Sequence, residues 1–299
     1  MNHPHTSSTQ PPNQDDLDLA NTLDTAPDTL PRMDYGDIRW KNPFMRTVLR
    51  EQALCLRYME ETSKGAPHRV NAARELLQDS SIYHSPGVTR WCLNTVQEAV
   101  SPEAWRETLG RVTRHVLERL ATNGYVDALR AGQEVGAFHV FQALLDHHGL
   151  AQWQDPTRDT QEGAAHLATR IIVEINDDRI KFNGADPAQA RDNVRWLGRL
   201  LLGRIQDAGG SLSGSTVTQA GSPLRLACYM HEEGQEVCAH AMIDALLDLG
   251  VAWQTVRDNV RPEEAALIDQ HPKTRKTRLT ALADRESEET SNPQSKPKL

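Results

Sequence analysis

Apolar residues recur at intervals of three and four through most of the chain, which is the spacing of amphipathic helices. The clearest such stripes follow Pro43 and cover 68–78, 88–100 and 105–120. Ser101 and Pro102 precede the last of these, where serine caps a first turn and proline fits the first helical position. The pattern predicts an all-α protein.

Four stripes share an ending, because each finishes with a glycine shortly after its last apolar residue. They are VLERLATNG at Gly124, VFQALLDHHG at Gly149, LLGRIQDAGG at Gly209 or Gly210, and IDALLDLG at Gly250. Glycine in a left-handed conformation commonly ends a helix. A recurring unit of helix and glycine indicates a repeat architecture, so we expect a solenoid of helical pairs.

One stretch carries a family resemblance. SPLRLAC (222–228) is similar to the TPLHLAA opening of an ankyrin repeat, and ALLDLG (245–250) resembles the end of the second helix of such a repeat. Ser222 and Gly250 are seven residues further apart than in that family, and the extra residues fall in YMHEEGQEVC. The resemblance implies two packed helices and a protein-binding function.

Two further segments are weaker candidates for the same repeat, namely GAAHLAT with the residues up to Gly184, and 126–149. In the first, RIIVEI and RIKF flank an Asn-Asp-Asp turn. A short β-hairpin near 170–183 is therefore an alternative to a second helix.

Composition divides the chain into four regions. Residues 1–34 and 272–299 are rich in polar residues and proline, so we expect both ends to be disordered. Between them we predict a helical region over 35–125 and an ankyrin-like repeat region over 126–271. Apolar residues are 38% of the chain and aromatic residues only 5%, which favours an elongated stack with a modest core.

Charge and cysteine content exclude several classes of function. The net charge of −8 argues against nucleic-acid binding, and no apolar run has membrane-spanning length. Four cysteines are too few for a disulfide framework. Frequent arginine and alanine suggest a bacterial genome. With no apolar signal segment near Met1, we expect a cytoplasmic protein or one exported without a classical signal peptide.

These observations predict a non-enzymatic scaffold for protein–protein interaction. The resemblance implies that Arg225, Tyr229 and His231 lie on or near the binding face, with Trp153 and Trp253 near the loops. The polar N-terminus is similar to those of exported bacterial effectors, in which case the partner is a host protein. Nothing in the sequence names that partner.

The same stretch supports an alternative function, a zinc-binding enzyme or regulator. Cys228, His231, Cys238 and His240 are four residues of the types that bind tetrahedral zinc. Against this, residues two apart on a helix point about 200° apart, which separates Cys238 from His240. We therefore expect the protein to have no cofactor, with zinc as the alternative. His147-His148 is interpreted as a pair of cations at a helix end.

Overall fold

The computed structural model describes residues 65–78, 86–156, 162–212, 222–257 and 260–291. In these ranges all the regular structure is helical and there is no strand. The all-α class is therefore confirmed for this part of the chain. The predicted disorder of residues 1–34 and the predicted helix after Pro43 lie outside it.

The chain divides into two compact units between Thr157 and Arg158. In the first unit the helices are α1 (Ala66–Gln78), α2 (Pro86–Ala99), α3 (Pro102–Leu120), α4 (Asn123–Arg130) and α5 (Gly136–His147), followed by a 3-10 turn (Leu150–Gln152). The unit boundary differs from the predicted one at 125/126. Residues 126–156 belong to the first unit, because α5 packs against α2 and α3.

Helix α3 illustrates how the sequence specifies the first unit. The Ser101 hydroxyl accepts a hydrogen bond from the backbone N–H of Ala104 at 3.3 Å, and Pro102 is the first helical residue, as predicted. The buried residues of α3 recur every three or four positions and form the stripe that faces its neighbours. They are Trp105, Leu109, Val112, Thr113, Val116, Leu117 and Leu120.

The predicted glycine ends are correct at three of the four places. Gly149, Gly209 and Gly250 have φ of 73°, 85° and 82°, the left-handed region. The prediction for Gly124 is wrong, because α3 already ends at Leu120 and Gly124 lies in the first turn of α4.

In the second unit the helices are α6 (Ala164–Asn183), α7 (Pro187–Asp207), α8 (Pro223–Glu232), α9 (Glu236–Asp248), α10 (Gln254–Arg257), α11 (Pro262–Gln270) and α12 (Pro272–Ser291). Helix α6 packs against α7, and α8 against α9. The two pairs also contact each other, α7 against α9 and α6 against both α8 and α9.

The hairpin proposed for 170–183 is wrong. Residues 164–183 form one helix, so the segment ending at Gly184 is not a pair of helices either. Two contacts at the supposed turn are helical: the Asn176 side chain donates to the carbonyl of Ile172 at 2.9 Å, and Lys181 pairs with Asp177 at 2.7 Å. Ile171, Ile172 and Val173 of RIIVEI are buried in this helix, which packs against α7, α8 and α9.

Helices α7 and α9 approach closely because Gly198 has no side chain. A Cβ atom at this position would lie 3.1 Å from Met242 Sδ and 3.2 Å from Ala245 Cβ, tighter than ordinary contacts. The small residues Gly198 and Ala245 thus bring the two helical pairs together.

The expected disorder of the C-terminal segment is corrected over Pro272–Ser291, which form α12. The start of this helix is anchored: Thr274 is buried, the Lys273 ammonium donates to the carbonyl of Asp248, and Arg278 pairs with Asp269 at 3.2 Å. Both basic residues have partners in the fold, a backbone carbonyl for Lys273 and a carboxylate for Arg278, which the composition of the segment alone does not show.

None of the helices in the described ranges combines the length and the apolar character needed to cross a membrane.

Candidate functional site

The stretch from Ser222 to Gly250 folds as two helices joined by a tight turn. Ser222 caps α8, its hydroxyl accepting from the backbone N–H of Arg225 at 3.5 Å, and Pro223 is the first helical residue. Gly234, with φ of 87°, allows the turn into α9, and Gly250 follows the end of that helix. The predicted start and end of this helical pair are therefore confirmed.

Helix α8 has one buried face and one exposed face. Leu224, Ala227 and Cys228 are buried against the rest of the unit. Arg225 and Tyr229, four residues apart and therefore neighbours on the helix surface, are both exposed. The Tyr229 side chain is 56% exposed, so this face offers a cation and an aromatic ring together.

His231 does not join that exposed face. Its Nδ1 lies 3.5 Å from Oε1 of Glu264 on α11, and the Glu264 side chain is only 3% exposed. Arg261 pairs with Glu232 at 3.2 Å and fastens α11 to the end of α8. Sequence reasoning missed Glu264, because an acidic residue in the first turn of a helix is normally a solvated partner of the helix dipole.

The two tryptophans predicted to lie near loops behave differently. Trp153, in the first unit, is 6% exposed, and its indole N–H donates to the carbonyl of Arg106 at 2.8 Å. Its assignment to a partner-binding surface is therefore wrong, since the side chain folds back onto α3. Trp253, in the second unit, is partly buried just before α10.

The two cysteines proposed as zinc ligands are buried in different surroundings. Burial, followed by the charges of Glu264 and Glu232, raises the pKa of the Cys228 thiol to about 12. Burial, followed by the charge of Asp177, raises the pKa of the Cys238 thiol to about 12. Both are therefore protonated in the metal-free chain.

The structure does not bring the four proposed ligands together. His240 Nε2 lies 3.9 Å from Oδ1 of Asp244, and burial lowers the pKa of this imidazole. His231 faces Glu264 instead. In the part of the chain that the structure describes, no three His, Cys, Asp or Glu side chains are placed to share one metal ion.

A row of arginines along α7 faces a row of acids along α9. Arg195 donates to Asp248 at 3.0 Å and lies 4.0 Å from Asp244. Arg191 is 3.7 Å from Asp244, and Arg199 is 3.9 Å from Asp248. Residues spaced i, i+4 lie on one face of a helix, so the two rows can pair along their length. These ion pairs link α7 of the first helical pair to α9 of the second.

Two further apolar side chains are exposed near the turn between α8 and α9. Val237 is 37% exposed, and Phe182, at the end of α6, is 79% exposed. Lys181 and Cys238 are close enough for each to influence the pKa of the other, so the end of α6 and the start of α9 lie at the same end of the unit. Tyr229 is one turn before the loop that leads into α9 and belongs to this end as well.

The described chain is helical, and its second unit exposes Phe182, Tyr229 and Val237 at one end. No protein-family model, no curated protein and no solved structure matches the chain.

Proposed function

We propose that the second unit is a scaffold that binds a partner protein, and that the exposed face of α8 is the centre of the binding surface. The observation that carries this proposal is the joint exposure of Arg225 and Tyr229 on a helix whose other face is buried. Tyrosine and arginine are the residue types most often responsible for binding energy at protein interfaces.

The surroundings of this face support the same function. Phe182 is 79% exposed, and covering such a side chain with a partner removes apolar surface from water, which favours association. Val237 and Tyr229 are also exposed, at the same end of the unit. Arg225 adds a positive charge next to Tyr229 on the exposed face of α8, so a partner segment with an apolar anchor and an acidic flank fits best.

The finer architecture is part of the proposal. We propose that α6–α7 and α8–α9 are two stacked helical pairs, as in a short solenoid, and that the α8–α9 pair is ankyrin-like. The contacts of α7 with α9 and of α6 with α8 support the stacking. The pairs are unequal, since α6 and α7 have 20 and 21 residues whereas α8 and α9 have 10 and 13. The ankyrin resemblance therefore rests on the second pair.

A capture experiment with matched variants tests the proposed surface. The tagged full-length chain is expressed in the cell that produces it, and bound proteins are quantified for wild type, for Arg225→Glu with Tyr229→Ala, and for Arg204→Glu with Gln206→Ala. The control pair makes the same charge change at exposed positions of α7. We expect at least a ten-fold loss of one specific partner with the α8 variant and no loss with the control.

Equal recovery of that partner by both variants would contradict the proposal, provided that both have the wild-type circular dichroism spectrum and melting temperature.

A further inference from the structure

Helix α12 exposes two leucines on one side. Leu279 is 59% exposed, and Leu282, three residues later and therefore its neighbour on the helix surface, is 54% exposed. A different side holds the helix to the second unit, through the buried Thr274 and the ion pair of Arg278 with Asp269. The two leucines are therefore accessible to another molecule.

The charges of α12 are segregated along its length. The first ten residues of the helix include four basic residues and no acidic one, whereas the last ten include four acidic residues and one arginine. The basic residues are Lys273, Arg275, Lys276 and Arg278, and the acidic ones are Asp284, Glu286, Glu288 and Glu289. A helix with such halves is complementary in charge to a copy of itself that runs in the opposite direction.

The exposed leucines and two of these charges occupy positions with a regular spacing. The positions are separated by four, three and four residues, which is the alternation that forms the contact seam of a coiled coil. They are Arg275, Leu279, Leu282 and Glu286. The set is symmetric about the midpoint of the two leucines. A two-fold axis at this midpoint places Leu279 opposite Leu282 of the second copy, and Arg275 opposite Glu286 of the second copy.

We propose that α12 is a self-association surface, at which the α12 helix of a second copy of this chain packs antiparallel to it. The charges select this direction, since a parallel pair would place Arg275 beside Arg275 and Glu286 beside Glu286. The interface has only two leucines from each copy, and each copy has a net charge of −8. A reversible dimer that forms with rising concentration is therefore expected, and not an obligate one. The α8 face takes no part in this dimer.

Charge reversal at two positions tests the register. Arg275 and Glu286 are eleven residues apart, about 16 Å along the helix, so a coupling between them acts between two copies and not within one. Sedimentation equilibrium of the full-length chain gives the dimer dissociation constant for the wild type, Arg275→Glu, Glu286→Arg and the double variant. We expect each single variant to weaken the dimer about ten-fold or more, because both symmetric contacts become repulsive. The double variant should recover most of the wild-type affinity.

The matched control combines Arg275→Glu with Glu134→Arg. Glu134 is exposed in the first unit, so its reversal restores the net charge of the wild type without restoring the helix contact. We expect this control to remain as weak as Arg275→Glu alone, and circular dichroism checks that every variant keeps the wild-type helix content. A wild-type chain that is still monomeric at about 1 mM would overturn the proposal. A double variant at Arg275 and Glu286 that dimerises no more tightly than the control would overturn it as well.

Discussion

The indole of Trp153 lies directly on Gly110 of α3, in the space that a side chain at this position would fill. A Cβ atom at Gly110 would meet the indole at Cζ2, with Cε2 at 3.2 Å and Cη2 at 3.3 Å. The same indole donates its N–H to the carbonyl of Arg106, one turn earlier on the helix. Together these contacts bury Trp153 and hold its indole against α3.

This contact predicts that Gly110→Ala destabilises the protein although alanine is the better helix former. The methyl group displaces the indole and costs its packing and its hydrogen bond, so we expect a loss of about 2 kcal/mol in the free energy of unfolding. Urea denaturation followed by circular dichroism measures it. Gly124→Ala is the control, since a Cβ there meets no atom within 4 Å and should leave stability unchanged or slightly higher. Stabilisation by Gly110→Ala would contradict the packing of the Trp153 indole on Gly110.

The close approach of α7 and α9 predicts opposite effects for two glycines of one helix. Gly198→Leu forces a large side chain against Met242 and Ala245, so we expect a loss of about 2–3 kcal/mol. Gly203→Ala places its Cβ 3.5 Å from Leu249 Cδ2, an ordinary contact, and should add up to about 1 kcal/mol through helix propensity. Thermal and urea unfolding of both variants check the pair. Two variants of equal stability would contradict the packing of the two helical pairs.

The lowered pKa of His148 predicts a pH dependence with a definite sign. Its pKa is about 4 in the folded chain against 6.5 for a free imidazole. The unfolded state therefore binds more protons between these values, and stability falls as pH drops from 6.5 towards 4. From pH 7 to pH 5 this difference in proton binding lowers the free energy of unfolding by about 2 kcal/mol. An NMR titration of the imidazole should give a midpoint near 4, and the stability difference between wild type and His148→Gln should shrink by that amount from pH 7 to pH 5. A midpoint near 6.5 would refute the buried neutral form.

The buried thiols make a prediction that separates the scaffold from the zinc alternative. With pKa values of about 12, Cys228 and Cys238 are thiolates in only about one molecule in ten thousand at pH 8. We expect both to resist iodoacetamide in the native chain, with or without added zinc, and to react fully in denaturant. Peptide mass spectrometry assigns each site. One bound zinc per chain, with protection that disappears on addition of EDTA, would instead support the metal site.

The sequence predicted those elements that local rules specify. Ser101-Pro102 and Ser222-Pro223 start helices because a hydroxyl cap and a preset φ act within one turn. The β-hairpin failed for the opposite reason: β-branched residues around Asn176 favour a strand locally, whereas burial of a helical stripe against α7, α8 and α9 outweighs that preference.

The site was predictable in part. The exposed positions Arg225 and Tyr229 follow from the α8 pattern, since the buried residues beside them recur at helical spacing. Glu264 and His148 were not predictable, because their burial depends on residues distant in sequence. His231 contacts Glu264 across 33 positions, and Gln97 contacts His148 across 51.

The most direct test of the proposed binding surface is site-specific photocrosslinking in the producing cell. A photoreactive phenylalanine analogue is placed at Tyr229, at Val237 or at Gln206, one position per variant of the full-length chain. We predict that the first two positions crosslink to the same partner protein and that Gln206, exposed on α7, does not. Absence of a crosslink at Tyr229 and Val237, or an equally strong one at Gln206, would contradict a binding surface centred on α8.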